Sequence, residues 1–244
     1  MPMTAVFVHG VPDTEQMWNR LLAAIDHSDV ARLSLPGFGT DVPAGWTATK
    51  EEYAGWLESQ LEQFAEPVDL VGHDWGSILS QRVASLRPDL IRTLACGSGP
   101  LDVEYEWHPM AQAWQTPEVG EQVMTAITSM SAADLAAGLV AGGSDSELAT
   151  IEASAVDTRM TDCMLALYRS AITVGAEWQP AVEAMPRRPA TVFHGADDPH
   201  VPTTTARRIA ARLEAELILY PECGHWWPWD RAAETAAALT RLWQ

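Results

Sequence analysis

Short unbroken apolar runs alternate along the chain with stretches whose apolar positions recur every three or four residues. Ala5–Val8 is such a run, stopped by His9-Gly10, and predicts a strand buried on both faces. Over 15–27 the apolar residues Trp18, Leu21, Leu22 and Ile25 take helical spacing. Residues 30–35 predict a second strand, closed by the turn residues Pro36-Gly37-Phe38-Gly39. Thr49, with Glu52 three residues on, predicts a capping box that opens a helix over 49–64. A third strand is expected over 68–71, a helix over 76–86 ended by Pro88, and a fourth strand over 90–96. This alternation specifies a parallel sheet with right-handed crossovers.

The rhythm then breaks. From about 104 to 186 the pattern is helical only, with helices predicted over 110–130, 132–140, 146–156 and 159–174, divided by Gly and Ser pairs. Alternation resumes near Pro189: a strand over 191–194, a helix over 205–213, a strand over Glu216–Tyr220 and a helix over 231–243. The expected organisation is an α/β core built from 1–103 and 187–244, with 104–186 inserted as a helical cap. Such a cap lies over the C-terminal edge of the sheet, where open α/β sheets bind ligands.

Composition narrows the function classes. The chain has 244 residues, 47% hydrophobic and 20% charged, enough for one core with an insertion. Against 33 Asp and Glu stand 15 Lys and Arg, with Lys50 the single lysine, and the formal charge is −18. That charge repels phosphate backbones and anionic membranes, which excludes nucleic-acid binding and polybasic lipid attachment. No basic, apolar and cleavage regions of a secretory signal follow Met1, and no run approaches eighteen apolar residues, so the expectation is a soluble, cytoplasmic protein. Cys96, Cys163 and Cys223 lie far apart without CxxC spacing, so neither a disulfide framework nor a zinc site is expected. A small-molecule substrate, no metal or cofactor, and a monomer or homodimer complete the expectation.

Gly72-His73-Asp74-Trp75-Gly76 falls between a predicted strand and helix. It has the form of a nucleophile elbow, with Asp74 where esterases carry serine. The flanking glycines let strand and helix approach closely, and the helix N-terminus supports negative charge at the turn. An aspartate here also serves simply to cap a helix. Two further segments bear on the choice: His194-Gly195-Ala196-Asp197-Asp198-Pro199 after the next-to-last strand, and Cys223-Gly224-His225 after the last. Nucleophile, acid and histidine in that chain order match an α/β-hydrolase triad, in which the acid holds the tautomer of the imidazole.

The chain here resembles the α/β-hydrolase superfamily, and within it the branch with an aspartate nucleophile, comprising epoxide hydrolases and haloalkane or haloacetate dehalogenases. The resemblance rests on His9-Gly10-Val11-Pro12, Leu35-Pro36-Gly37-Phe38-Gly39, the elbow around Asp74, Gly195-Ala196-Asp197-Asp198-Pro199 and Gly224-His225-Trp226. It implies the α/β-hydrolase fold without the usual N-terminal hairpin. It also implies Asp198 rather than Asp197 as the acid, with Asp102 the alternative because some dehalogenases carry the acid after the strand before the cap. The backbone N–H groups of Val11 and Trp75 become the oxyanion hole, and His9 and His73 are left structural roles. The residue before Pro12 is a candidate for a cis peptide.

An aspartate nucleophile suits displacement at an sp³ carbon followed by hydrolysis of the resulting alkyl ester. Epoxides and alkyl halides are the substrates such chemistry takes. An opening epoxide needs a proton, and similar epoxide hydrolases supply it from cap tyrosines; Tyr168 and Tyr105 lie in the insertion and are the candidates, each also readable as a packing residue. Trp107 and His108 are candidate donors to a leaving group, or equally capping and surface residues. Val11 stands where many haloalkane dehalogenases carry Asn or Glu, and the run Asp74-Trp75-Gly76-Ser77-Ile78 lacks the Asp-Arg-Gly of haloacetate dehalogenases; both favour the epoxide reading. A haloalkane or haloacid dehalogenase is the alternative, and a catalytically silent ligand-binding homologue the third reading.

Overall fold

The computed structural model describes residues 3–244. Ala5–Val8 is strand β1, and all four of its residues are buried because helices cover both faces. Five further strands, β2 (Val30–Leu33), β3 (Val68–His73), β4 (Ile91–Gly97), β5 (Ala190–Gly195) and β6 (Glu216–Tyr220), complete one sheet. Every pair is parallel and the order is β2-β1-β3-β4-β5-β6. The helices up to β4 are α1 (Asn19–Ala24), α2 (Lys50–Leu61) and α3 (Trp75–Leu86). Between β4 and β5 stand α4 (Pro109–Gln115), α5 (Val119–Ser129), α6 (Ala132–Ala141), α7 (Ser146–Ala155), α8 (Thr158–Ser170) and α9 (Val174–Ala184). The last three are α10 (Thr203–Leu213), α11 (Trp227–Asp230) and α12 (Ala232–Leu242).

Alternation along β1 separates two cores. Val6 and Val8 face a cluster with Leu57 of α2, Ile78 and Leu79 of α3 and Ile209 of α10. Ala5 and Phe7 face Leu21 of α1, Trp227 of α11 and Leu239 of α12, together with Trp18. β2 is the exception: it is an edge strand, with Val30 exposed and its residues alternating between exposed and half-buried.

All six predicted strands are present. Two helical expectations need correction. The helix predicted over 110–130 is two, because Pro117 lacks an N–H and forces Thr116 out of helical backbone to φ −84°, ψ 119°. The helix predicted over 159–174 stops at Ser170, and α9 follows it beyond the periodic positions, with Pro180 inside it. α9 packs back on α3 of the core. There Trp178 lies under two cations, Lys50 and Arg82, at 5.7 and 5.1 Å from its ring centre. The buried Lys50 ammonium donates to the Ser170 carbonyl at 2.6 Å and pairs with Glu51 and Glu177, tying the start of α2 to the ends of α8 and α9.

The order of strands fixes where a ligand can sit. From β1 the chain moves outward to β2 and then crosses back to β3, so connections leave the adjacent C-terminal ends of β1 and β3 in opposite directions. That divergence opens a crevice at the sheet edge. α3 must start flush against β1 there: a Cβ on Gly76 would lie 2.1 Å from the Val8 carbonyl oxygen. The three cysteines are buried and unpaired, and among the described residues no single helix is long and apolar enough to cross a membrane.

Two substitutions separate these roles of glycine. Gly76→Ala is expected to abolish the cooperative unfolding transition or soluble expression, since backbone cannot yield to that contact. Gly55→Ala, with open space around it in the exposed middle of α2, should raise stability by about 0.5–1 kcal/mol in urea denaturation.

Candidate active site

Asp74 ends β3 and precedes α3 with left-handed backbone, φ 51° and ψ −119°, which lifts its side chain over the sheet edge. It does not cap α3. Its Oδ1 instead accepts from the Val11 N–H at 2.9 Å, and the Trp75 N–H faces the same carboxylate. Room for this comes from Gly10, where a Cβ would come within 2.5 Å of Asp74 Oδ1. The Val11-Pro12 peptide is cis, and it presents the Val11 N–H from the end of β1. Burial pushes the Asp74 carboxyl above its usual range, opposed by His225, His73 and the two N–H groups.

His225, in the loop after β6, lies with Nε2 3.7 Å from Asp74 Oδ2 and Nδ1 2.9 Å from Asp198 Oδ2. Asp198 follows β5 and collects four donors. Its Oδ1 accepts from the backbone N–H groups of His200 and Val201, and its Oδ2 from His225 and the Ser98 hydroxyl at 2.9 Å. Burial opposes charge on this carboxyl, yet His225 and the N–H donors hold it well below the carboxylate range. Burial likewise works to lower the imidazole, but the Asp198 charge and hydrogen bond, with Asp74 adding, push His225 up to about 9. Asp197 is exposed and outside this line. Asp102, the alternative acid, is elsewhere: it is buried against Arg208 and Arg212 of α10, at 2.8 and 2.6 Å.

Both tyrosines of the segment between β4 and β5, Tyr105 in the loop before α4 and Tyr168 on α8, border the cavity of about 160 Å³ above Asp74, as do Trp107 and His108. Tyr168 on α8 is buried among the rings of Trp75, Trp107 and Trp114, at centroid separations of 5.4, 5.3 and 4.8 Å. Its hydroxyl makes no hydrogen bond of ordinary geometry; the Trp75 indole N–H points toward its oxygen without closing one. Burial first and the Asp74 charge second raise this phenol well above 10, so it stays protonated. Tyr105 donates to the His200 carbonyl at 3.0 Å. Trp107 stacks on Trp75, interplanar 17°. His108 caps α4, its Nδ1 accepting from the Ala111 N–H at 3.3 Å, and burial with its neighbouring imidazoles lowers it to about 4.

His9 and His73 bond loop backbone. His9 Nδ1 donates to the Gly10 carbonyl while Nε2 accepts from the Leu35 N–H, and His73 Nε2 donates to the His225 carbonyl. Several residues around the site carry no signal in the sequence: Trp114, Leu139 and His200 line the cavity, and Ser98, one residue past β4, supports Asp198. Trp226, of Gly224-His225-Trp226, lines it as well.

The family model described as "Alpha/beta hydrolase family" matches residues 5–238. Epoxide hydrolase 3 of Siraitia grosvenorii is 35% identical over 95 residues, 36% of this chain and 30% of that protein. A haloalkane dehalogenase of Psychrobacter cryohalolentis is 30% identical over 99 residues, 38% of this chain and 32% of that protein. These matches span about a third of the length of the curated relatives. The crystal structure of a haloalkane dehalogenase from Bradyrhizobium elkani superposes with a TM-score of 0.78 at 20% identity, covering 98% of this chain and 90% of that one. That likeness is one of fold.

Two variants distinguish Asp198 from Asp102. His225 should titrate near 9, and Asp198→Asn should lower its midpoint by roughly 1–3 units in NMR titration. A folded value above the unfolded 6.5 means this proton stabilises the fold fully below pH 6.5, and the contribution is lost as pH rises through about 9. Asp102→Asn should leave the His225 midpoint in place and cost about 3 kcal/mol of stability, because the buried Arg212 then keeps only the exposed Glu183, at 3.5 Å, as an ion partner.

Proposed function

The chain belongs to the alpha/beta hydrolase family, and from that premise we propose that it opens a small epoxide to a diol through an alkyl ester on Asp74. The observation that carries this reading is the Tyr168 hydroxyl, buried, protonated and without a committed acceptor, on the same cavity as the Asp74 carboxylate. Helices α4–α8 then act as the cap that brings it there. The names of the relatives, epoxide hydrolase and haloalkane dehalogenase, belong to proteins with this same choice of chemistry.

The resting charges are a carboxylate on Asp74, an imidazolium on His225 and a neutral phenol on Tyr168. Asp74 attacks an epoxide carbon, the C–O bond breaks, and the oxygen takes the Tyr168 proton. The Trp75 indole N–H supports the tyrosinate so formed. Asp74 is now a neutral ester, so His225 loses one of the charges that raised it and returns its proton to Tyr168. The neutral imidazole, held by Asp198, then takes a proton from water attacking the Asp74 carbonyl. The Val11 and Trp75 N–H groups hold the oxyanion of that tetrahedral intermediate. Its collapse releases the diol, the carboxyl proton passes to the departing oxygen, and Asp74 and His225 are restored to their resting charges.

A second reading has one specific support. The indole N–H groups of Trp75 and Trp114 are buried without an acceptor, and a departing halide takes such donors. The two readings part at the leaving group, since a halide needs no proton.

His225→Gln should still alkylate and then stall, giving an adduct of enzyme plus epoxide in intact mass. Normal turnover by this variant removes His225 from its role, and no adduct with any electrophile leaves a ligand-binding homologue. Tyr168→Phe keeps the ring packing and removes one donor, so single-turnover alkylation by an epoxide should slow by roughly 10²–10³-fold, while a 1-haloalkane is unaffected. Halide turnover without epoxide turnover in the unsubstituted enzyme reassigns the protein as a dehalogenase.

A further inference from the structure

The helices between β4 and β5 contribute one buried carboxyl group, which the chemistry above leaves unused. Glu152 on α7 and Asp13 in the loop after β1 are each 1% exposed, and their side chains are hydrogen-bond neighbours. Asp13 borders the cavity. Its Oδ1 accepts from the Trp226 indole N–H at 3.1 Å, and its Oδ2 lies 3.5 Å from His73 Nδ1. Glu152 Oε2 accepts a long bond from Ser144 at 3.4 Å, and its Oε1 has no donor. The titratable groups facing the pair are His73 at the end of β3, His225 after β6, His9 after β1 and Tyr168 of α8; among the described residues no arginine or lysine forms an ion pair with either carboxyl.

Two ionised carboxylates offer one another only lone pairs, and in a buried site without an arginine or lysine partner, where the imidazolium of His225 is already shared by Asp198 and Asp74, both charges cannot persist. One proton must lie between them. Asp13 already accepts from the Trp226 N–H, which favours its charge. Glu152 has one weak donor and an oxygen lacking any, so the oxygen without a donor is the one that can be one. We propose that Glu152 is a neutral carboxylic acid whose O–H donates to Asp13, and that this bond from α7 to the core holds Asp13 as the carboxylate positioning the imidazole of His225. Burial raises Glu152, while His73 and Glu152 itself keep Asp13 low, in the same direction.

Asp13 reaches the imidazole by two routes. It holds the indole of Trp226, the next residue, and it faces His73. His73 in turn donates to the His225 carbonyl at 3.0 Å, with the two rings 4.8 Å apart. Its negative charge also favours the His225 imidazolium. Glu152 and Asp13 are thus positioning residues, and a helix outside the Asp74–His225–Asp198 line helps set the basicity of the imidazole.

The first test needs no substrate. A carboxyl that keeps its proton when folded and loses it when unfolded, near pH 4.3, makes the unfolding constant rise tenfold per pH unit above that value. Relative to Glu152→Gln, which carries no titrating proton, the wild-type unfolding constant should therefore rise close to tenfold per unit between pH 5 and about 8. A flat ratio overturns the neutral acid. If Glu152→Gln fails to fold, Asp13→Asn serves: the facing amide lets Glu152 ionise, and the same slope should appear between wild type and this variant. The second test rests on the role proposed above for His225. In the pH dependence of kcat, the acidic limb should move to lower pH in Asp13→Asn and stay in place in Glu152→Gln, whereas a merely structural role lowers the rate without moving the limb. An unmoved limb in Asp13→Asn overturns the positioning role alone; the function itself stands or falls with the His225→Gln adduct.

Discussion

The constraint on which the rest of the molecule depends is a carboxylate held almost out of water with an imidazole, and among the described residues no arginine or lysine, beside it. Asp74 sits where β3 turns into α3 in left-handed backbone, and that geometry survives only because the chain around it leaves no alternative. Gly10 vacates the volume its carboxylate occupies, Gly76 lets α3 begin against β1, and the end of β1 supplies an N–H to one oxygen. An arginine in place of these would pin the carboxylate and quench the nucleophilic role proposed for it. Backbone N–H groups, the N-terminus of α3 and an imidazole stabilise the charge without neutralising it.

From that constraint the electrostatics of the surrounding shell follow. The protein has a large excess of acidic residues, yet the crevice concentrates imidazoles: His225, His200 and His108 succeed one another at ring separations of 5.1 and 4.9 Å. Only the first carries a raised affinity for its proton, because only it touches Asp198 and Asp74. His200 and His108 are lowered, so they present neutral, polarisable walls to the cavity.

How much of this was legible in the sequence divides along chain order. All six strands and the elements framing Asp74, Asp198 and His225 were readable, because buried parallel strands are unbroken apolar runs and the turns that follow them need glycine, proline or aspartate at set places. Of the two acids after a strand that stood as candidates, the structure brings Asp198 to the imidazole and gives Asp102 to Arg208 and Arg212; no local pattern around residue 102 announces partners more than a hundred residues away. The helical block was legible as helical but not in its breaks. Pro117 divides one long periodic stretch, while Pro180 sits inside α9 without ending it. The walls of the cavity were the least legible. Trp114 and Leu139 look in sequence like any apolar residue on a helix, and Ser98 like any loop serine, because what distinguishes them is which helix end is folded over which strand.

The treatment of the single lysine has a practical side. Lys50 is 4% exposed and its ammonium is fully engaged by Ser170, Glu51 and Glu177. The folded surface therefore offers amine-directed reagents no accessible side chain. Ester-activated dyes and crosslinkers and aldehyde-coated supports have no lysine to capture while the fold holds, and modification of Lys50 becomes a readout of the opening of α2 from α8 and α9. Side-chain attachment that keeps the protein intact runs through its abundant carboxylates instead.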